Sequence, residues 1–319
     1  TATLELADWK LDIAEYRDVW FTTSFLLDQK QAKNGTAKER FDNYKNQALQ
    51  FSFPTHFTGK KPVVDASKPR PKAAIIREKG SNSEREMANA MYLAGFDVKD
   101  VHMTDLISGR ENLEDIQFIG AVGGFSNSDV LGSAKGWAGA FLYNEKAKNA
   151  LQKFFARKDT LSLGVCNGCQ LFIELGLINP DHEQKPKMLH NDSHKFECVF
   201  TSVTIQKNHS IMLSSLEGST LGIWSAHGEG KFSFPYAEEK YNIVGKYGHA
   251  AYPANPNGSD FNTAVLTSND GRHLVMMPHL ERSTFPWNWA NYPDRKDEVT
   301  PWVEAFVNAR EWCVGKVKS

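Results

Sequence analysis

The sequence predicts an α/β fold: a mostly parallel central sheet with helices on both faces, a β-rich C-terminal half and a helical N-terminal extension. Three observations lead there. Between residues 73 and 175, short apolar runs alternate with stretches whose apolar residues recur at helical spacing, as in strands joined by helical crossovers. Beyond about residue 196 the pattern becomes strand-rich. Pro54, Pro62, Pro69 and Pro71, interleaved with lysines, separate this region from the first part of the chain.

Residues 1–50 read as helical and partly amphipathic, with Tyr16, Trp20, Phe25 and Leu26 before Lys30 and a charged second helix at about 37–49. The expected division is a helical extension (1–53), a Pro/Lys-rich linker (54–71) and a main domain (72–319). In the main domain Ala73-Ala-Ile-Ile76 is the first buried strand. Ser83 and Glu86 have capping-box spacing and open a helix whose Met87, Ala90, Met91 and Ala94 share one face, with Gly95 at its end. Strands follow at 96–101 and 118–122, then a helix at 145–156 with Ala147, Leu151, Phe154 and Phe155 on one side, then a strand at 161–165. Later strands are expected at 198–205, 221–224, 231–234, 243–247, 263–266 and 273–277, and a last helix at 300–314.

The composition excludes several classes of function. Lys and Arg number 37 against 38 Asp and Glu, a net charge of -1, so no electrostatic footprint points to nucleic acid or an anionic membrane. No apolar run approaches the roughly 20 residues that span a bilayer, and no signal peptide precedes the first folded-looking segment. Four cysteines in 319 residues argue against a disulfide scaffold and for a reducing, cytoplasmic compartment. A start at Thr1 suggests a fragment or a processed product.

Gly164-Val-Cys-Asn-Gly168 carries the strongest chemical signal. A strand, a sharp turn with a cysteine at its apex and a helix follow one another, with small residues two before and two after the cysteine. With serine in place of cysteine this is a nucleophile elbow. The thiol stands at a helix N-terminus, where unpaired amides and the dipole favour a thiolate. A nucleophile needs a base, and the base an orienting acceptor. His279 leaves the end of an apolar strand with Glu281 two residues on, on the same side of extended backbone, so Glu281 can hold Nδ1 while Nε2 faces the thiol. The developing oxyanion needs donors. The Asn167 amide supplies one, and Gly123-Gly-Phe-Ser126, through Gly124 and Phe125, a second.

Cys166 and Cys169 also match Cys-x-x-Cys, but no second such pair exists, and Cys169 reads as a small buried hydrophobe rather than a redox or metal partner. His227 and Glu229, in Trp224-Ser-Ala-His-Gly-Glu-Gly230, form a rival pair better suited to a structural or substrate-loop role. Asn255-Pro-Asn-Gly-Ser259 reads as a turn, and Phe285-Pro-Trp-Asn-Trp289 as a binding surface or as packing under a neighbouring domain.

Gly-Val-Cys-Asn-Gly-Cys-Gln (164–170), Gly-Gly-Phe-Ser (123–126), Ala-His-Gly-Glu-Gly (226–230) and Met-Pro-His-x-Glu-Arg (277–282) together resemble a triad-type glutamine amidotransferase domain, with its flavodoxin-like sheet. More narrowly, the chain is similar to the C-terminal glutaminase domain of the large, single-chain formylglycinamidine ribonucleotide synthetases. Arg77-Glu-Lys-Gly-Ser-Asn-Ser83, Asp100-Val-His-Met-Thr-Asp-Leu106 and the 285–289 tail fit that family, and Trp20-Phe-Thr-Thr-Ser-Phe25 resembles the end of its synthetase domain. The resemblance covers roughly 71–319.

The resemblance implies a Cys166–His279–Glu281 triad that hydrolyses L-glutamine through a glutamyl thioester, with Gln170 touching the substrate. It implies no cofactor or metal in this chain. ATP and magnesium would serve a synthetase part of the same longer polypeptide, which would use the ammonia to amidate formylglycinamide ribonucleotide. Another cysteine amidase or peptidase on this fold, or a non-catalytic docking domain, would be the alternatives. Two departures stand out: the family's His-Pro-Glu is His279-Leu-Glu281, and its Gly-Gly-Phe-Ser-Tyr-Gly-Asp is Gly123-Gly-Phe-Ser-Asn-Ser-Asp129, where Ser128 replaces a glycine and restricts the loop.

Overall fold

The computed structural model describes residues 2–65 and 67–317. The chain opens on a hairpin, β1 (Thr3–Leu6) and β2 (Trp9–Asp12), where the composition suggested helix. Leu4 and Leu6, then Trp9 and Leu11, follow a period of two, which is the strand pattern. Ala7 turns the chain with φ 49°. Asp12 then caps α1 (Ile13–Gln31), its carboxylate accepting from the amides of Ala14 (2.8 Å) and Glu15 (3.0 Å). The second helix, α2 (Thr36–Asn43), ends earlier than the expected 49. The two helices meet through ring pairs, Phe21 on Tyr44 and Phe25 on Phe41, with centroids 4.2 and 4.7 Å apart.

The main domain alternates as expected: β3 (Lys72–Arg77), α3 (Glu84–Ala94), β4 (Asp97–His102), α4 (Met103–Ser108) and β5 (Phe118–Ala121). Then come α5 (Lys135–Tyr143), α6 (Glu145–Ala156), β6 (Leu161–Val165) and α7 (Asn167–Glu174). The strand-rich half contributes β7 (Lys187–Leu189), β8 (Glu197–Ile205), β9 (Thr220–His227), β10 (Lys231–Ser233), β11 (Asn242–Tyr247), β12 (Thr263–Thr267) and β13 (His273–Met276), and α8 (Trp302–Val317) ends the described chain.

One nine-stranded sheet organises these elements, in the order β4-β3-β5-β6-β13-β12-β11-β8-β9. The first five strands are parallel and form the flavodoxin-like arrangement. β13 reaches the parallel half from the far end of the chain and pairs with β6 in register, Met276 beside Val165. The remaining four strands extend the sheet antiparallel. The strand at β10 stands apart, paired only with β7. Helix α3 packs on α8, while α4 to α7 pack together, so the parallel strands are covered on both faces. Trp137, Phe96, Phe118, Phe154, Phe172, Trp302 and Phe306 are among the largest side chains sealed in this core.

One local expectation fails, and one loop takes an uncommon conformation. Ser83 does precede α3, but at φ 73° it makes no cap, and its hydroxyl instead accepts from Arg282 Nε at 2.7 Å. The loop after β5 does not avoid the conformation its missing glycine would favour. Asn127, Ser128 and Asp129 all adopt left-handed backbone, with φ of 52°, 57° and 44°. Such conformations cost L residues free energy and persist only when the surroundings fix them.

Candidate active site

The loops that end β5, β6 and β13 leave the same edge of three adjacent strands, so the segments holding Gly124, Cys166 and His279 converge. Cys166 turns the chain sharply, with φ 52° and ψ -108° at the start of α7. Its flanking glycines are required. A Cβ at Gly164 would fall 2.6 Å from the Gly168 carbonyl oxygen, and one at Gly168 would fall 2.0 Å from the Ala121 carbonyl oxygen. The Cys166 amide donates to Met276 O at 2.9 Å, which ties the elbow to β13. Its thiol, 5% exposed, lies 3.6 Å from Ala226 O on β9.

His279 follows β13 and is fixed to β9 by its amide, which donates to Trp224 O at 2.7 Å. Its imidazole is buried and shares a 2.6 Å hydrogen bond between Nδ1 and Glu281 Oε1. Nε2 is left without a conventional partner among the described residues. The ring rests on bare backbone: a Cβ at Gly123 would lie 2.7 Å from His279 Cε1 and 3.3 Å from Cys166 Cβ. Burial pulls the imidazole pKa down, but the Glu281 carboxylate and, after it, Cys166 outweigh this and raise it to about 9. Burial pushes the Glu281 carboxyl up, and the His279 charge more than reverses that, so it stays below its ordinary value. Both directions describe one buried imidazolium–carboxylate pair. The two residues form this bond with Leu280 between them.

The donors for an oxyanion divide unevenly. The Phe125 amide donates to Gly80 O at 2.8 Å and is therefore spent within the loop, contrary to the role its position suggested. Its half-exposed ring instead lines the cleft and meets Phe196 at 5.9 Å. The Gly124 amide donates to no acceptor among the described residues, and Gly124 itself, at φ 112°, could not carry a Cβ, which would lie 2.6 Å from Gly80 O. Asn167 is the clamp between the two loops. Its side chain accepts from the Ser126 amide at 3.1 Å and donates to Gln170 Oε1 at 2.8 Å and to Asp129 Oδ2 at 3.2 Å. Gln170 in turn donates to Glu229 O at 2.7 Å, so both ends of its amide are engaged while its side chain still borders the cleft.

A cleft of about 290 Å³ opens over Cys166, between Gly124, Phe125 and Asp129 on one lip and His190, His194, Lys195 and Phe196 on the other, with Gln170 and 226–229 behind. No motif in the sequence singles out the 190–196 lip. Asp129 lay inside the quoted glycine motif, and burial raises its carboxyl pKa. The rival pair is not a pair. His227 is buried, its Nδ1 3.2 Å from Asn191 Oδ1, and burial followed by repulsion from His279 lowers its pKa to about 3. Glu229 turns away to the Ser133 hydroxyl at 2.6 Å. Cys169 is fully buried, and burial pushes its thiol well above the ordinary range, the reverse of an attacking thiol.

Known proteins resemble this chain in sequence and in fold. Residues 70–313 match the CobB/CobQ-like glutamine amidotransferase domain. A protein of Arabidopsis thaliana named as a probable phosphoribosylformylglycinamidine synthase, chloroplastic/mitochondrial, is 42% identical over 93% of this chain, and the human phosphoribosylformylglycinamidine synthase is 41% identical over 95%. The matched regions make up 23% and 25% of those proteins, so the chain spans about a quarter of the length of these relatives. The solved structure of PurLQS from Thermotoga maritima superposes with a TM-score of 0.60 at 26% identity, covering 75% of this chain and 98% of that one. Among the described residues no helix is long and apolar enough to cross a membrane. The elbow, the strand-end pair and the match over most of its length identify the chain as a member of the CobB/CobQ-like glutamine amidotransferase domain family.

Proposed function

We propose that this chain hydrolyses L-glutamine to glutamate and ammonia, and that Cys166, His279 and Glu281 carry the reaction. The observation that supports it most is the buried 2.6 Å His279–Glu281 bond at the end of β13, beside a cysteine held at φ 52° at the end of β6. In this reading the proton given up by Cys166 rests on His279, whose raised pKa favours the charged form, and Sγ attacks the side-chain amide carbon of glutamine. The amides of Asn167 and Gly124 receive the oxyanion. Collapse breaks the C–N bond, and His279 returns the proton to the leaving nitrogen, which departs as ammonia. Water, deprotonated by the same imidazole, then opens the thioester and releases glutamate. Phe125 and Gln170 border the substrate.

The wider setting follows from the relatives. The ammonia would serve an ATP- and magnesium-dependent conversion of formylglycinamide ribonucleotide to formylglycinamidine ribonucleotide, in a synthetase part of a longer polypeptide. No residue of this chain is assigned to the nucleotide or the metal. In that arrangement residues 1–53 end the preceding domain, 54–71 link and 72–319 form the amidotransferase domain. The cytoplasm is the compartment inferred from four unpaired cysteines, although the Arabidopsis relative bears an organellar name.

The test is a glutamine analogue with an electrophilic side-chain carbon, followed by peptide mass mapping. Labelling of Cys166, protection by glutamine and loss of glutamine hydrolysis in Cys166→Ala are expected. Labelling of Cys169 instead, or preferential turnover of peptides over glutamine, would overturn the assignment.

A further inference from the structure

The outer lip of the cleft is held by the N-terminal helices. Lys195, whose side chain borders the cleft, forms an ion pair with Asp28 of α1. Two residues on, the Glu197 carboxylate is 2% exposed and pairs with Arg40 of α2 at 2.5 Å while accepting from the Tyr252 hydroxyl at 2.8 Å. Arg40 also lies 3.7 Å from Asp28, which joins the two pairs into one network. Two further bonds reach the same lip: the Lys33 amide donates to Ser193 O at 3.0 Å, and Asn34 Nδ2 to Asp192 O at 2.8 Å. On its inner side the lip continues into the site. Asn191 Nδ2 bridges Lys195 O at 3.1 Å and His227 O at 2.7 Å, and the Phe196 ring meets Phe125.

The helix α1 buries none of its own residues, so these polar contacts are not by-products of a shared apolar core. A buried carboxylate is tolerated only when paired, and a lysine at a cleft edge keeps one position only when its ammonium is held. We propose that the Asp28–Lys195 and Arg40–Glu197 pairs make the N-terminal helices a positioning element for the substrate cleft, setting the 190–197 lip for glutamine binding without entering the Cys166 chemistry. This rests on the glutaminase reading above.

The test compares the full chain with Asp28→Asn and Asn34→Ala, both outside the cleft, and with Asp28→Glu, which keeps the charge. Labelling of Cys166 by the glutamine-like electrophile should require about tenfold more reagent for half-saturation in Asp28→Asn, a smaller excess in Asn34→Ala, and close to the original amount in Asp28→Glu. The limiting rate, and the rate of modification by iodoacetamide, should stay within about twofold. Unchanged half-saturation in both Asp28→Asn and Asn34→Ala, or a loss confined to the limiting rate, would overturn the proposal. Failure of the unaltered chain to be labelled at all would instead bring down the glutaminase reading, and the proposal with it.

Discussion

Gly168 and Ala121 are pressed together so closely that a Cβ on the glycine would stand 2.0 Å from the Ala121 carbonyl oxygen. The first turn of α7 thus rides directly on the backbone of β5, and this contact places Cys166 against the loop that begins at Gly123. Gly168→Ala should cost about 3 kcal/mol, because the opposing atom is main chain in the middle of a sheet and cannot yield. Gly139→Ala on α5, where a Cβ would meet only Tyr143 at 3.9 Å, should instead add about 0.5–1 kcal/mol through helix propensity. Urea unfolding of the two variants checks both signs.

The His279 pair makes stability depend on alkaline pH. In the unfolded chain this imidazole titrates near its ordinary 6.5, and in the fold near 9. Its charge therefore favours the fold in full below pH 6.5, and the contribution, about 3 kcal/mol, drains away as pH rises to 9. Unfolding free energies at pH 7 and 9.5 should show the drop in the unaltered protein and a clearly smaller one in Glu281→Gln, where Cys166 alone would still oppose the effect of burial on the imidazole. An equal drop in both would assign it to another group.

His227 makes the opposite demand. Burial holds its pKa at about 3, so the folded protein keeps it neutral while the unfolded chain protonates it near 6.5. Stability is present above pH 6.5 and is lost as pH falls towards 3, and His273, likewise lowered to about 3 by burial, adds to the loss. Replacing His227 by Gln should flatten part of this acid limb. A limb of unchanged steepness would place the effect on carboxylates instead.

Arg40 should matter more for stability than its partly open position suggests. Glu197 is almost sealed, and its cationic partner comes from α2. Arg40→Met would leave that carboxylate with only the Tyr252 hydroxyl, at a cost of about 3 kcal/mol. Arg40→Met with Glu197→Gln should recover most of the loss, as a double-mutant cycle in thermal unfolding would show.

The residues of the candidate site were more legible in the sequence than their supports. Elbow geometry depends on residues within a few positions of Cys166, so Gly164 and Gly168 could be read directly, as could the two-residue spacing of His279 and Glu281. The strand at 161–165 and the helix at 145–156 were legible for the same reason, since each satisfies a local period. What stayed hidden depends on distant partners. Nothing near Phe125 announces that its amide is committed to Gly80, or near Ser83 that Arg282 claims its hydroxyl. The 190–197 lip had no motif, because its place is set by α1 and α2. The first hairpin was missed differently: its period of two lasts only four residues per strand and adjoins a long helix.

Asn167 gives the left-handed run at 127–129 a further meaning. A loop that holds three successive L residues in left-handed backbone stores strain, and among the described residues its hydrogen bonds to the elbow run through one carboxamide, that of Asn167 beside Cys166. The two halves of the candidate site are therefore not independently adjustable parts. Whatever loosens the strained loop must first pull on the turn that aims the thiol, so the cleft assembles, or comes apart, as a unit.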